Sequence, residues 1–358
     1  MGRATSEHPR AQGRSSKSEN NWMKAIVYHN YGPPDVLKCE EVEKPTPGDN
    51  EVLIKVHAAS LNPLDWHLMR GTPYVGRIMM GLRKPKIGRL GVDVAGEVEA
   101  VGRSVTQFKP GDNVFGSARG ACAEYACTSQ SALVTKPDNV TFEQAACVPV
   151  AALSALQGLR DKGKIKSAQK VLINGAAGGV GTFAVQIAKW FGAEVTGVCR
   201  TRNVDRVRSL GADQVIDYTH EDFTRGAQRY DLILDNVGNH SLSECRRVLN
   251  SKGKYVLVGG GGPNDQGWIG PGLARAITAP VVSSFVSQHM SFFLAKMNKN
   301  DLTILRDLIQ EGKVKSVIDK RYGLREVPEA IRYLEEGHAR GKVVITLEGS
   351  NEPGRPIR

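Results

Sequence analysis

Residues 174–189 read NGAAGGVGTFAVQIAK, a run of small residues between two apolar stretches. A backbone stripped of side chains implies that something approaches it closely. The preceding KVLI (170–173) is short, β-branched and apolar, as a buried strand is. After the glycines, Phe183, Ala184, Ile187, Ala188 and Phe191 recur at helical spacing and the pattern stops at Gly192, a C-cap. Strand, glycine turn and helix in that order aim the unpaired N–H groups of a helix N-terminus at a pyrophosphate. Ala177, Gly178, Gly179, Val180 and Gly181 are therefore expected to hold a dinucleotide. A second strand, EVTGVC (194–199), completes a βαβ unit. The pattern departs from G-x-G-x-x-G at Ala176, with Gly178 and Gly181 in the other two places. A methyl group is tolerated there if the turn keeps a negative φ and Gly175 supplies the freedom.

The end of the second strand selects the nucleotide. NAD sites place a carboxylate there for the ribose 2′-OH, about 20 residues beyond the glycines, whereas NADP sites replace it with cations. This chain has Cys199, Arg200, Thr201 and Arg202. No acid stands ready to repel a 2′-phosphate, and two guanidiniums can clamp one, so NADPH is the expected cofactor.

At 358 residues the chain exceeds one compact core and suits two domains. Its 41% hydrophobic and 24% charged residues are those of a globular protein. No apolar run reaches the roughly 18 residues of a membrane span. The net charge of +11 comes from scattered Lys and Arg, without the aromatic interleaving of a nucleic-acid groove, so a basic surface serving an anionic cofactor is expected instead. Six cysteines contain no C-x-x-C pair, which disfavours a zinc ribbon and a disulfide scaffold and suits a reducing, cytoplasmic location. Residues 1–22 are polar and lack the apolar core of a secretory signal, so they and residues 349–358 are expected to be tails, with the ordered chain starting at Met23.

From Met23 to about residue 147 short β-patterned stretches are broken by Pro and Gly: MKAIVYH, EVLIKVHAAS, LGVDVAGEVEAVG, PGDNVFG and ACAEYACTS. From Thr141 helical patterns alternate with the apolar strands VLIN, VTGVC, QVIDY, YDLILDNVG and GKYVLVGG, which implies an open parallel sheet with helices on both faces. A last segment from about Ser291 ends in GKVVITL and is too small to stand alone. The expected division is residues 23–147 with 291–348 as a β domain and 148–290 as the cofactor domain.

Eight stretches in order carry a resemblance: SLNPLDWHLMRG, GVDVAGEVEAVG, FKPGDNVFG, NGAAGGVG, LGADQVIDY, DLILDNVG, GKYVLVG and VPEAIRYLEEGHARGKVVITL. Together they resemble the medium-chain dehydrogenase/reductase superfamily, and within it the zinc-free quinone oxidoreductase group that includes reticulon-interacting mitochondrial reductases and chloroplast-envelope relatives. The resemblance implies an α/β fold: a GroES-like β-barrel substrate domain completed by the C-terminal segment, a Rossmann doubly wound parallel sheet, and a cleft between them. It also implies a homodimer, paired through ITAPVVSSFV (277–286), whose apolar edge would otherwise be exposed, although Pro280 shortens any strand there.

In the superfamily's zinc alcohol dehydrogenases the metal sits on a Cys, a Gly-His-Glu segment and a later Cys. The corresponding places here are Asn62, Gly91 to Asp93, and Val150, so none of the usual ligands survives and no metal is expected. His57 and His67 remain only as candidates for a stray ion. Without a metal the accessible chemistry is conjugate reduction, in which hydride passes to a quinone or α,β-unsaturated carbonyl and the resulting anion needs hydrogen-bond donors and a proton. Asn62 and Asp65 fill the family's N-x-x-D positions, with Asn62 as oxyanion donor and Asp65 as support; an Asx-type turn explains the same pair. His67 stands where relatives often have Tyr and is the candidate proton relay. Tyr218 resembles an adenosine-side tyrosine, and Asn236, Val237 and Gly259 follow sheet strands where the nicotinamide crevice lies. Lys342 joins them in the expected cofactor set. Residues 71–89, Met-rich and basic, read as a lid. The alternatives are reduction of another activated alkene, such as a haloacrylate or enoyl thioester, and a cofactor-binding scaffold with little catalysis.

Overall fold

The structure, a computed structural model, describes residues 21–259 and 286–347, with positions 274, 278 and 283 between them. Nearly all of both expected tails and most of the expected dimer segment lie outside the described residues. The first strand, Trp22–Val27, starts one residue before the expected Met23, because Trp22 already pairs with Glu43 on Lys38–Glu43.

Six parallel strands form one sheet in the order Gln214–Asp217, Glu194–Cys199, Lys170–Asn174, Tyr230–Asp235, Leu249–Val258 and His289–Phe293. The chain starts in the middle, winds to one edge, returns and winds to the other, which leaves a crevice beyond the strand ends where the direction reverses. Alternation along each strand sends side chains to two cores. Val171, Ile173, Leu232 and Leu234 pack on one face with Phe183, Ala184 and Ile187 of the helix Gly179–Trp190. Leu172, Ile233, Tyr255 and Leu257 pack on the other with Cys245 and Met290. The last strand straddles the expected boundary at 290/291, because SFF (291–293) pairs with Val256 to Val258 in the parallel sheet rather than starting the next unit.

A second sheet has seven strands. Its path runs Ile318–Gly323, Lys342–Thr346, Glu51–Leu61, Asp93–Val101, Asn113–Ser117 and Leu133–Thr135, with Tyr125–Ser129 also on Glu51–Leu61. Among the described residues this pairing forms an open path rather than a ring. The C-terminal strand lies antiparallel to Glu51–Leu61, with Val343 opposite Leu61 and Thr346 opposite Ala58. This pairing brings Lys342 beside Asn62. The apolar faces of these strands share a core that includes Ile54, Leu61, Trp66, Val94, Ile331 and Val343.

Candidate functional site

A cleft of about 780 Å³ runs between the glycine turn and the second sheet. Gly175 supplies the freedom the turn needs, with φ of 76°. Gly181 fits because a Cβ there would stand 2.1 Å from the Gly175 carbonyl oxygen and 2.7 Å from Ala176 Cα. The third glycine therefore sets the approach of helix to strand. Gly178 is the N-cap of Gly179–Trp190 and offers no side-chain acceptor, so the first N–H groups of the helix have no side-chain cap. Ala177, Gly178, Gly179, Val180 and Gly181 all line the cleft. The residues present fit an anionic dinucleotide.

Arg200 and Arg202 line the same cleft, and neither makes an ion pair among the described residues. Arg206 instead donates to the Arg340 carbonyl at 2.7 Å, and Arg208 stands 3.8 Å from Asp205. Burial, aided by the Asp217 charge, pushes the Cys199 thiol up to about 11, so the position where an acid would stand is neutral. Tyr218 lines the cleft with its ring half exposed and its N–H on the Cys199 carbonyl at 3.0 Å. Sequence reasoning missed Glu221, Asp222 and Asn203 in this wall. Asp222 is engaged by the Thr224 N–H at 2.9 Å and hydroxyl at 2.7 Å, which leaves the exposed Glu221 as the nearby acid without such an internal bond.

The nicotinamide-side expectations divide. Asn236 and Val237 line the cleft because the buried Asp235 carboxylate accepts the N–H groups of Val237 at 3.0 Å and Gly238 at 2.8 Å and folds the turn back. The Asn236 amide donates to the Asn174 carbonyl at 3.0 Å while its buried Oδ1 has no hydrogen-bond partner among the described residues. Gly259, with φ of 69°, does not line the cleft; it turns the chain after Leu249–Val258. No residue of 71–89 lines the cleft either, so the expected lid stands elsewhere.

Asn62 is buried at the floor, where the strand Glu51–Leu61 passes into the helix Pro63–Arg70. Its Nδ2 donates to Asp93 Oδ2 at 2.9 Å, and its Oδ1 accepts from Lys342 Nζ. Lys342 also donates to the Leu61 carbonyl and to Asp93 Oδ2, both at 3.2 Å, so its three N–H groups have three acceptors. Asp93 takes two further donors, Ser60 Oγ at 2.9 Å and the Val150 N–H at 3.0 Å. The three places that correspond to a metal site thus meet, but around an ammonium. Every oxygen of Asp93 is committed, Val150 offers only its backbone, and a cation here would displace a buried Lys–Asp pair. The residues present do not fit a catalytic zinc. Among the described residues no three His, Cys, Asp or Glu side chains group for a metal, and His57 stacks on Phe142 at 4.3 Å.

Neither Asp65 nor His67 lines the cleft, and Asp65 stands behind Asn62 as its support. Asp65 Oδ2 accepts the Asn62 N–H at 2.7 Å as half of a capping box. His67 packs on Trp66 with centroids 3.7 Å apart and sets Nδ1 against the Thr72 carbonyl at 3.1 Å. The physical reason is helical phase: Pro63 and Trp66, three apart, share the cleft face, and positions 65 and 67 point elsewhere. The C-terminal segment contributes more than expected, since Leu334, Glu335, Gly337, His338 and Ala339 line the cleft and Arg70 clamps Glu335 with bonds of 2.5 and 2.8 Å. A lysine opening an otherwise apolar strand, GKVVITL, is the one local signal of this.

Two sequence families match. Residues 48–153 match the alcohol dehydrogenase GroES-like domain, and residues 210–345 match the family described as zinc-binding dehydrogenase. The chain is 34% identical over 338 residues to the chloroplastic quinone-oxidoreductase homolog of Spinacia oleracea, covering 90% of this chain and 98% of that one. It is 32% identical over 370 residues to the mitochondrial NAD(P)H oxidoreductase RTN4IP1 of Mus musculus, covering 93% and 91%. The solved quinone oxidoreductase from Coxiella burnetii matches with a TM-score of 0.80 at 34% identity, over 91% of this chain and 100% of that one.

Proposed function

Because the chain belongs to the quinone oxidoreductase-like group of the medium-chain dehydrogenase/reductase superfamily, and is thus an NAD(P)H-dependent oxidoreductase, we propose that it reduces a quinone or α,β-unsaturated carbonyl with NADPH and without zinc. The observation that carries this reading is one cleft with the glycine turn and two unpaired arginines at one end and Asn62 at the other. When bound, the reduced nicotinamide supplies a hydride. The chain's own residues do the rest. The helix N-terminus and Gly178–Gly181 backbone hold the pyrophosphate, and Arg200 and Arg202 hold the 2′-phosphate. Asn62 gives one amide N–H to Asp93 and keeps the other for the oxygen that becomes negative as the acceptor is reduced. Lys342 and Asp93 fix that amide, so Lys342 acts through Asn62 as well as beside Gly179, whose Cβ would stand 3.2 Å from Lys342 Cδ.

We also propose a homodimer, which His289–Phe293 supports as the outer strand of the parallel sheet among the described residues. No disulfide joins the six cysteines, which supports a reducing compartment, the cytoplasm being the simplest. No described helix is long and apolar enough to cross a membrane.

Fluorescence titration with NADPH and NADH, then turnover with a simple quinone and a simple enone, tests the reading. Tighter NADPH binding and turnover of either acceptor are expected. Equal affinity for the two nucleotides would end the NADPH assignment. Tight binding with no turnover of either acceptor would favour the activated-alkene or scaffold alternatives.

A further inference from the structure

Residues 71–89 stand apart from the cleft as a firmly held projection. The Arg77 guanidinium lies over the rings of Tyr31 at 4.5 Å and Tyr74 at 4.6 Å and donates to the carbonyls of Gly71 at 2.9 Å and Arg70 at 3.1 Å. Tyr31 donates its hydroxyl to the Gly81 carbonyl at 2.8 Å, and the Lys86 N–H closes on the Met80 carbonyl at 2.8 Å. These bonds fix the short helix Arg77–Met80 and the turn after it. They also leave Ile78, Met79 and Leu82 exposed by 63%, 82% and 70%. Arg83, Lys84, Lys86 and Arg89 are exposed around them. Between Trp66 and Val92 there is no Asp or Glu. Arg83, Lys84 and Lys86 make no ion pair among the described residues.

Large apolar side chains held in water by a rigid turn are costly unless something covers them. Nucleic acid would match the cations but not the apolar tips. A second copy meeting this face across a two-fold axis would bring the same positive charges against themselves. We propose that this projection docks the protein on an anionic lipid surface. The apolar tips enter the headgroup layer while the three free cations meet lipid phosphates and carboxylates.

Flotation of the full chain with phosphatidylcholine vesicles, with and without phosphatidylserine, tests this. Binding is expected only with the anionic lipid and is reversed by salt. It should weaken about fivefold for each of Arg83→Ser, Lys84→Ser and Lys86→Ser, and Met79→Asp should weaken it as well. Thermal unfolding midpoints equal to the unmodified protein's would show that these surface variants remain folded. Failure of the unmodified protein to bind anionic vesicles at low salt would overturn the proposal, as would binding that the substitutions leave unchanged. So would a Met79→Asp protein whose only change is a smaller mass in sedimentation equilibrium, since the occupant would then be a second copy.

Discussion

Asn62 sits between a partner that only donates and one that only accepts. The Lys342 ammonium can only donate and the Asp93 carboxylate can only accept, so the amide has one orientation, with Oδ1 toward the lysine and Nδ2 toward the acid. Asn62→Ala is expected to lower kcat about 100-fold, the loss typical of one oxyanion donor, with NADPH affinity nearly kept; an unchanged kcat in steady-state assays would remove Asn62 from the reaction. Asp65 makes a second prediction. Burial raises its carboxyl from 3.8 to about 7, against the Asn62 N–H bond that lowers it, with the Asp93 charge adding to the rise. Between those two values the folded protein keeps a proton that the unfolded chain releases. Stability from this group is therefore full at acid pH and falls as pH rises toward 7. Urea midpoints across that window should slope downward more steeply in the unmodified protein than in Asp65→Asn, and parallel slopes would refute the assignment. The pairing of positions 62 and 65 was legible in the sequence, but a capping box and a pair facing a reaction centre need the same three-residue step. Only the position of the cleft separates them. Lys342 was expected among the cofactor residues, and its clamp on Asn62 was not legible, because that contact joins residues 280 apart.

At the scale of elements, the strand, glycine turn and helix were readable because everything that defines them is local: an apolar run, small residues and a helical period. Gly181→Ala would drive a methyl toward the Gly175 carbonyl, and overpacking of this kind costs about 1–3 kcal/mol. Calorimetry should show the lowered midpoint together with weaker NADPH binding, and a stability equal to the unmodified protein's would contradict the packing described here. The helix Lys299–Gln310 is set by local signals as well, with Asn298 accepting N–H bonds at 2.9 and 3.2 Å as its cap. Its docking is not. The buried Asp301 accepts from Gln157 at 2.9 Å and Arg160 at 2.8 Å, and neither partner is near it in the sequence. Asp301→Ala is expected to cost about 1.5–3 kcal/mol, the range for hydrogen bonds to a charged group, read as a shift in the urea midpoint. A shift within error would mean the helix is held by its apolar face alone. The boundary near residue 290 was misplaced for a related reason, since a short apolar run names a buried strand without naming its sheet.

For the whole molecule, light scattering at micromolar concentration is expected to give twice the chain's mass, and a clean monomer would refute the dimer. The two sheets also differ in when they can exist. The strands of the parallel sheet lie between residues 170 and 293, whereas Glu51–Leu61 is completed by a strand whose Lys342 is 281 residues from Leu61. Synthesis is vectorial, so the nucleotide-holding sheet has its whole sequence outside the ribosome before Lys342 is added. Until then Asn62 has no ammonium to orient it and Glu51–Leu61 lacks one neighbour. Ribosome-bound chains halted just short of Lys342 are accordingly expected to retain NADPH in a pull-down yet leave a quinone unreduced, and turnover by such chains would contradict this order. A growing chain would then hold its reductant without discharging it, and the polysome would waste no reducing power on half-made enzyme.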